Sequence, residues 1–389
     1  MSKRARAKPA GKKPAPRRAA KSKPAKSPPA ADMVEEFQVL HEFATRARKR
    51  LGDNAWDYLM GAADTETTQK RNRQALDSIA FRPRVLNDVS GLDSSGSLLG
   101  HKLRMPVVLA PIGSMQDLVD GGGAVSAAAA AEFGTISMLS SVCAPGLEAV
   151  AKVAPGTNRM FQLYVRGDAA WIDDYGRRAV ANGYSAFCFT VDLDYYGRRE
   201  RDLAKRYMST ARRAARSEFF QERFNWDDVK RFKDAHAVPV IVKGIATAED
   251  AARAVAIGVD AVYVSNHGGR QLDHGRGAVD MLPEIVAAVK GRAEIIVDGG
   301  VMRGTDVVKA VALGADSVAI GRLQGLAAAA AGAPGVVRML ELLEAEVRIA
   351  LALLGVTSFA GLDASYLHPA APVGPAHAFS AFPLLDEGY

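Results

Sequence analysis

Eight short apolar runs, each followed by residues that suit a helix, occupy the middle of this chain: Val107–Ala110, Ile136–Ser140, Met160–Val165, Ala186–Val191, Pro239–Lys243, Ala261–Ser265, Glu294–Asp298 and Ser317–Ile320. Between them lie segments rich in Ala, Glu and Arg, among them Val125–Phe133, Ala169–Ala181, Ala248–Ile257, Val279–Lys290 and Thr305–Leu313. Alternating β and α units demand parallel strands with crossover helices, and eight such units close a (β/α)8 barrel. The one long interval, between the fourth and fifth runs, predicts an insertion from Gly197 to Asp234 above the barrel mouth.

Flanking segments extend this frame. Residues 33–80 read as helices, Met33 to Leu51 first, then Ala55–Met60 ahead of Gly61, then a polar helix leading to Phe81-Arg-Pro83. Met339–Gly355 reads as a closing amphipathic helix, and the proline-bearing tail from Tyr366 as a surface segment. The expected organisation is a basic tail over 1–31, a barrel domain over 32–367 and an extension over 368–389.

Charge separates the tail from the rest. The chain carries a net +7, but residues 1–31 hold 11 Lys/Arg, six Pro and no acid, leaving a folded part with 39 basic against 43 acidic residues. Such a tail cannot bury apolar surface and reads as disordered, a solubilising segment that touches nucleic acid or acidic lipid only transiently. The mildly acidic remainder argues against a specific nucleic-acid partner. Two cysteines, Cys143 and Cys188, lack metal-like spacing and fit a reducing, cytoplasmic setting. No uncharged apolar run reaches the ~18 residues of a transmembrane helix, and no cluster suggests a metal.

In such barrels, chemistry gathers at the C-terminal strand ends. Those ends carry Ala110-Pro-Ile112, Ser140-Ser141, Gln162 with Tyr164, Thr190 with Asp192, Lys243, Ser265-Asn-His267, Asp298-Gly299-Gly300 and Gly321-Arg322. The stretch Ser265-Asn-His-Gly-Gly-Arg270 sends a base and an anion clamp off one strand, since His267 can take a proton and Arg270 can grip a carboxylate with two parallel hydrogen bonds. On its own a His-Gly-Gly is more often a solvated turn. The convergence of seven other polar strand ends reverses that preference. Glycines after the seventh and eighth strands, with Arg322, match the place where these barrels bind phosphate through backbone N–H groups. Lys243 beside that site, and the His/Arg pair on the next strand, suit flavin mononucleotide (FMN) with substrate stacked over it.

Over roughly residues 33–367 the chain resembles the FMN-dependent 2-hydroxy-acid oxidases and dehydrogenases. The resemblance rests above all on Ser265-Asn-His-Gly-Gly-Arg-Gln-Leu-Asp273, and also on Phe81-Arg-Pro83, Phe161-Gln-Leu-Tyr164, Thr190-Val-Asp192, Gly197-Arg-Arg199, Val242-Lys-Gly244 and Asp298-Gly-Gly300. It implies oxidation of an L-2-hydroxy acid to the 2-oxo acid, with His267 as base, Asp192 stabilising the imidazolium, and Arg199 and Arg270 holding the carboxylate. Tyr58 and Tyr164 hydrogen-bond carboxylate and hydroxyl, and Lys243 favours the reduced, anionic flavin. Ser140, Gln162, Thr190 and Ser265 serve ring and ribityl chain; Asp298, Gly299, Gly300, Gly321 and Arg322 serve chain and phosphate. The resemblance also implies a homo-oligomer, a tetramer, passing electrons to oxygen or a quinone.

Three departures stand out against the family pattern. Ile112 replaces a common hydroxyl-bearing Thr, Val142 a common aromatic, and Met302 a common Arg, which leaves Arg303 as the nearby phosphate contact. Two competing readings are an FMN barrel of another reaction class (isomerase or nucleotide dehydrogenase) and a non-catalytic barrel working through the basic tail.

Overall fold

The computed structural model describes residues 30–215 and 220–389. The tail over 1–29, and with it the expectation of disorder there, lies outside the described residues, as do Arg216 and Phe219 of the insertion. Eight parallel strands close a barrel in chain order: β1 Val107–Leu109, β2 Ile136–Ser140, β3 Arg159–Leu163, β4 Ala186–Thr190, β5 Val240–Ile245, β6 Ala261–Val264, β7 Glu294–Val297 and β8 Ser317–Ile320. The expected (β/α)8 architecture is the observed one.

The middles of the strands are apolar because both faces are buried, as in parallel strands under a helical layer, and polar residues gather at the strand ends. Residues alternate between the two faces. Val108, Met138, Met160, Cys188, Ile241 and Ile296 point into the barrel, whereas Leu109, Phe161, Phe189, Val242 and Val297 face the helices. Each fully buried aliphatic or aromatic side chain contributes roughly 1.5–3 kcal/mol. Below the barrel, the hairpin Gly96–Leu98/His101–Leu103 pushes Leu98 and Leu103 into the interior cluster. Glu294, the first residue of β7, takes up the Leu99 N–H at 2.9 Å and fixes the hairpin to the N-terminal strand ends.

Three expectations about the flanks change. The helix expected from Met33 to Leu51 is two, α1 Ala30–Glu36 and α2 His41–Arg50. Glu42 accepts the N–H groups of Gln38 and Val39, at 2.7 and 3.0 Å, and so holds the chain in a turn between them. The closing helix is far longer than Met339–Gly355: it runs Arg322–Leu354, with a break at Ala331 and Gly332 just before Pro334. That helix is long and apolar enough by length and composition to cross a membrane, yet 67% of its most apolar stretch is buried inside the molecule. The tail beyond Tyr366 does not only skim the surface. Leu367–Pro369 pairs with Ile79–Phe81, Phe382 is buried, and Phe379 stacks on Trp56.

Two further helices, α3 Asp53–Met60 and α4 Thr67–Asp77, reach the barrel mouth. The insertion supplies short helices Glu200–Ala204, Thr210–Ala215 and Phe220–Arg223, then Trp226–Ala235 behind an Asn225/Asp228 capping box.

Candidate active site

A cavity of about 440 Å³ opens over the C-terminal strand ends. Tyr58, Ile112, Tyr164, Arg199, Lys243, His267, Arg270, Asp298, Gly299, Gly300, Gly321 and Arg322 all line it, although they come from eight separate stretches of the chain.

The turn after β6 carries the centre. His267 has a left-handed backbone, φ 57°, which is uncommon for a residue with a side chain. Two bonds hold it there: its N–H donates to Ser265 Oγ at 3.0 Å, and its ring Nδ1 lies 2.8 Å from Asp192 Oδ1. With Nδ1 engaged by a carboxylate, Nε2 is the free basic nitrogen, and the Tyr164 hydroxyl lies 3.2 Å from it. Burial, opposed by Asp192, holds the imidazole below its ordinary pKa of 6.5, so it is neutral and able to accept a proton at pH 7. Burial works to raise the Asp192 carboxyl, but His267 and Lys243 outweigh it and keep Asp192 ionised. Burial also raises Tyr58 and Tyr164, which therefore remain hydroxyl donors.

Asp192 approaches through a bulge. The β5–β6 register shifts between Lys243 and Ile245, and Gly244 sits at φ 111°. A Cβ at 244 would lie 2.8 Å from Asp192 Cβ, so only glycine leaves room for the aspartate. Lys243 donates to Ser265 Oγ at 2.8 Å and lies 3.5 Å from Asp298. Burial disfavours its charge, yet Asp298 and Asp192 leave its pKa raised, making it a fixed cation in the cavity wall.

Tyr58 is gripped by two guanidiniums, Arg270 at 4.9 Å and Arg199 at 5.9 Å from its ring, and donates to the Gly113 carbonyl at 2.7 Å. Arg270 donates to the Tyr58 and Gly61 carbonyls at 2.7 and 2.9 Å, which ties the β6 turn to the end of α3. Arg322 donates to Gly268 and Gly61 carbonyls at 2.8 and 2.9 Å, and burial together with Arg270 pulls it down to about 9.

Several features fit FMN. Gln162 and Thr190, at the tips of β3 and β4, have buried side-chain polar atoms with no partner among the described residues, as a bound heteroaromatic edge would require. After β7, Gly299 and Gly300 have φ 105° and 83°, and a Cβ on either would meet Asn72 at 3.1 Å. That leaves a backbone cradle beside Arg322. Asp298 joins the wall, accepting Ser265 Oγ at 2.7 Å and Tyr263 OH at 3.0 Å.

Ser140, like Gln162, Thr190 and Ser265, is not in the lining of the main cavity, and it borders a separate, small cavity together with Ser126 and Gln324. One expected contact points elsewhere. Arg303 turns away, held by Glu346 at 2.7 Å on the outer side of the cradle, and does not line the main cavity.

Other wall residues escaped sequence reasoning. Thr68, Gln69, Asn72 and Arg73 form one buried face of α4, a spacing that polar composition disguised as a solvated helix. Asn72 and Asn266 exchange amide hydrogen bonds at 2.7 and 2.9 Å, and Arg73 reaches the Gly300 carbonyl at 2.7 Å. Asp273, the last residue of the signature stretch, accepts the N–H of Thr68 at 2.8 Å and the hydroxyl of Thr65 at 2.7 Å, fastening the turn to the start of α4. Arg166 and Tyr196 also line the wall.

Comparison with known proteins agrees with this geometry. Residues 47–369 match the family model described as FMN-dependent dehydrogenase. The chain is 38% identical over 357 residues to an L-lactate oxidase of Nostoc sp., covering 85% of this chain and 97% of that one. It is 38% identical to glycolate oxidase 1 of Zea mays over 348 residues, covering 84% and 94%. A solved structure of mandelate oxidase with benzoyl-formic acid superposes with a TM-score of 0.80 at 36% identity, covering 87% of this chain and all of the other.

Proposed function

We propose, from the premise that this chain belongs to the FMN-dependent 2-hydroxy-acid oxidase and dehydrogenase family and uses FMN as its cofactor, that it oxidises an L-2-hydroxy acid with a medium or bulky side chain, with oxygen as electron acceptor. The observation that carries the reading is the convergence of Asp192, His267 and Tyr164 on one hydrogen-bonded line with Arg199 and Arg270 beside it.

In this reading Arg199 and Arg270 hold the substrate carboxylate, aided by the Tyr58 hydroxyl, and so set the hydroxyl-bearing carbon against Tyr164 and His267. His267 Nε2 takes a proton from the hydroxy acid, and the charge that forms on the ring is stabilised by Asp192, 2.8 Å from Nδ1. When bound, FMN supplies the two-electron acceptor. Lys243, Gln162, Thr190 and Ser265 would hold its ring side, and Asp298, the Gly299–Gly300 cradle, Gly321 and Arg322 its chain and phosphate. Electrostatic stabilisation by the fixed Lys243 cation favours accumulation of negative charge beside it.

Substrate size rests on Val142, which lines the cavity where a larger ring would shorten it. Oxygen as acceptor rests on the insertion, which carries charged residues such as Arg212-Arg213 and no apolar run long enough to bury in a membrane. Steady-state assays with glycolate, lactate, 2-hydroxyoctanoate and mandelate, each with oxygen and with a quinone analogue, test the reading. A preference for glycolate in kcat/KM overturns the open pocket, and flavin reoxidised only by quinone overturns the oxidase assignment. A cytoplasmic homo-oligomer belongs to the same proposal, tested by light scattering and cell fractionation.

A further inference from the structure

Among the cavity's basic residues, two arginines make no hydrogen bond or ion pair through any guanidinium nitrogen among the described residues: Arg199 and Arg166. The other cations of the wall are engaged. Arg73 is held by Asp306 and the Gly300 carbonyl, Lys243 by Ser265 and Asp298, and Arg270 and Arg322 by backbone carbonyls. Arg199 lies over the Tyr196 ring at 4.4 Å and, in the reading above, shares the substrate carboxylate with Arg270. Arg166 has no part in that reading.

Its placement is specific. Tyr164, Val165 and Arg166 all line the cavity just beyond the end of β3 at Leu163. Tyr164 marks the reacting end of the cavity through its contact with His267. Arg166 stands two residues further along the same wall. The Nε of Arg166 is buried and unpartnered, and its terminal nitrogens, also without a partner among the described residues, remain accessible in the half-buried side chain. An anion arriving in the cavity can take up those terminal N–H groups in charge-assisted hydrogen bonds. Two carboxylates also line the wall, Asp194 and Glu222, and neither pairs with Arg166. Burial, with Asp192 and Glu222 nearby, raises the pKa of the Asp194 carboxyl.

We infer that Arg166 is a specificity-determining residue and that the substrates favoured by this site are L-2-hydroxy acids bearing a second carboxylate a few carbons beyond the hydroxyl-bearing carbon. This rests on the oxidase reading of the same site and leaves its chemistry unchanged. The substrate loses the C–H and O–H hydrogens of its carbinol, the carbonyl forms, two electrons pass to FMN, and the distal carboxylate takes no part beyond its pairing with Arg166.

The test compares 2-hydroxyglutarate and 2-hydroxyadipate with 2-hydroxypentanoate and 2-hydroxyhexanoate in wild type and in Arg166→Met. In parallel, glutarate and pentanoate, which cannot be oxidised, are titrated against the flavin absorbance of the holoenzyme. Wild type is expected to favour the dicarboxylates in kcat/KM, and glutarate over pentanoate in Kd, by on the order of 10- to 100-fold, the strength of one charge-assisted hydrogen bond or two. In Arg166→Met both ratios collapse toward one, and Arg166→Lys recovers part of each. A wild-type preference for the monocarboxylates, or an Arg166→Met variant that keeps the wild-type ratios, overturns the assignment of Arg166. Failure of every hydroxy acid to bleach the flavin overturns the oxidase reading instead, so the two failures are distinguishable.

Discussion

At the N-terminal end of the barrel, Leu98 and Leu103 are fully buried in the interior cluster and the backbone above them is satisfied by Glu294. At the C-terminal end, the strand tips carry buried polar atoms of Gln162, Thr190 and Asp192 that find no partner among the described residues, a left-handed histidine, and six Lys and Arg side chains around one opening. The same eight strands thus end in an apolar plug on one side, where Ser317 Oγ and Arg159 Nε also lack a partner among the described residues, and in a cluster of unpartnered polar atoms around a cavity on the other. The clustering of such atoms with cations around one cavity marks the functional end independently of any motif. It also separates residues whose loss costs stability from residues whose loss costs turnover.

The largest break in that contrast is expected from His267→Gln. Removing a positioned base lowers turnover by at least ~10²–10⁴-fold, while flavin content and melting temperature stay near wild type. Substantial turnover in this variant, measured against 2-hydroxy acids at saturation, would take His267 out of the proton transfer. The opposite pattern is expected at the plug: Leu98→Ala should destabilise by roughly 2–5 kcal/mol, read by chemical denaturation, with kcat per folded molecule unchanged. Loss of kcat without loss of stability would mean that the two ends are coupled. Gly300→Ala sharpens the picture of the cradle. At φ 83°, with Asn72 only 3.1 Å away, a methyl group should weaken FMN affinity about tenfold or more through strain of roughly 1–3 kcal/mol, measured by flavin fluorescence on dilution. The smallest effect concerns pH. Because burial lowers the His267 pKa from 6.5, its neutral, proton-accepting form persists to more acid pH than a free histidine's. The acid limb of kcat/KM should therefore fall below pH 6.5, and a limb above 7 would show that Asp192 dominates over burial.

Much of this site was legible before folding. The strand ends named from apolar runs agree with the observed strands to within two residues, since each β/α unit announces itself through local periodicity and the closed barrel then brings all eight tips together. Twelve of the site residues singled out at those tips, in the N-terminal helices and in the insertion do line the cavity. What stayed hidden was pairing. Arg303 follows the glycine cradle closely in sequence, but Glu346, from the long final helix, draws it outward. Asn72 and Arg73 look like surface residues of a charged helix until α4 packs over the β6 and β7 turns. The plug at Leu98 and Leu103 is too short to show a strand period, and the burial of Phe382 follows from its packing against His41, Phe379 and Arg303.

By itself, then, the order of residues determined the barrel, the end at which polar residues collect and the presence of His267 and Arg270 on one turn there, because these depend on repeats and spacings within a few tens of residues. The tertiary structure alone decided which cations are spent on internal partners and which remain open to a ligand. Arg73 meets Asp306 233 residues away, and Arg270 meets the Tyr58 carbonyl 212 residues away. No local pattern encodes such encounters, and they are what leave Arg199 and Arg166 facing the cavity unpaired.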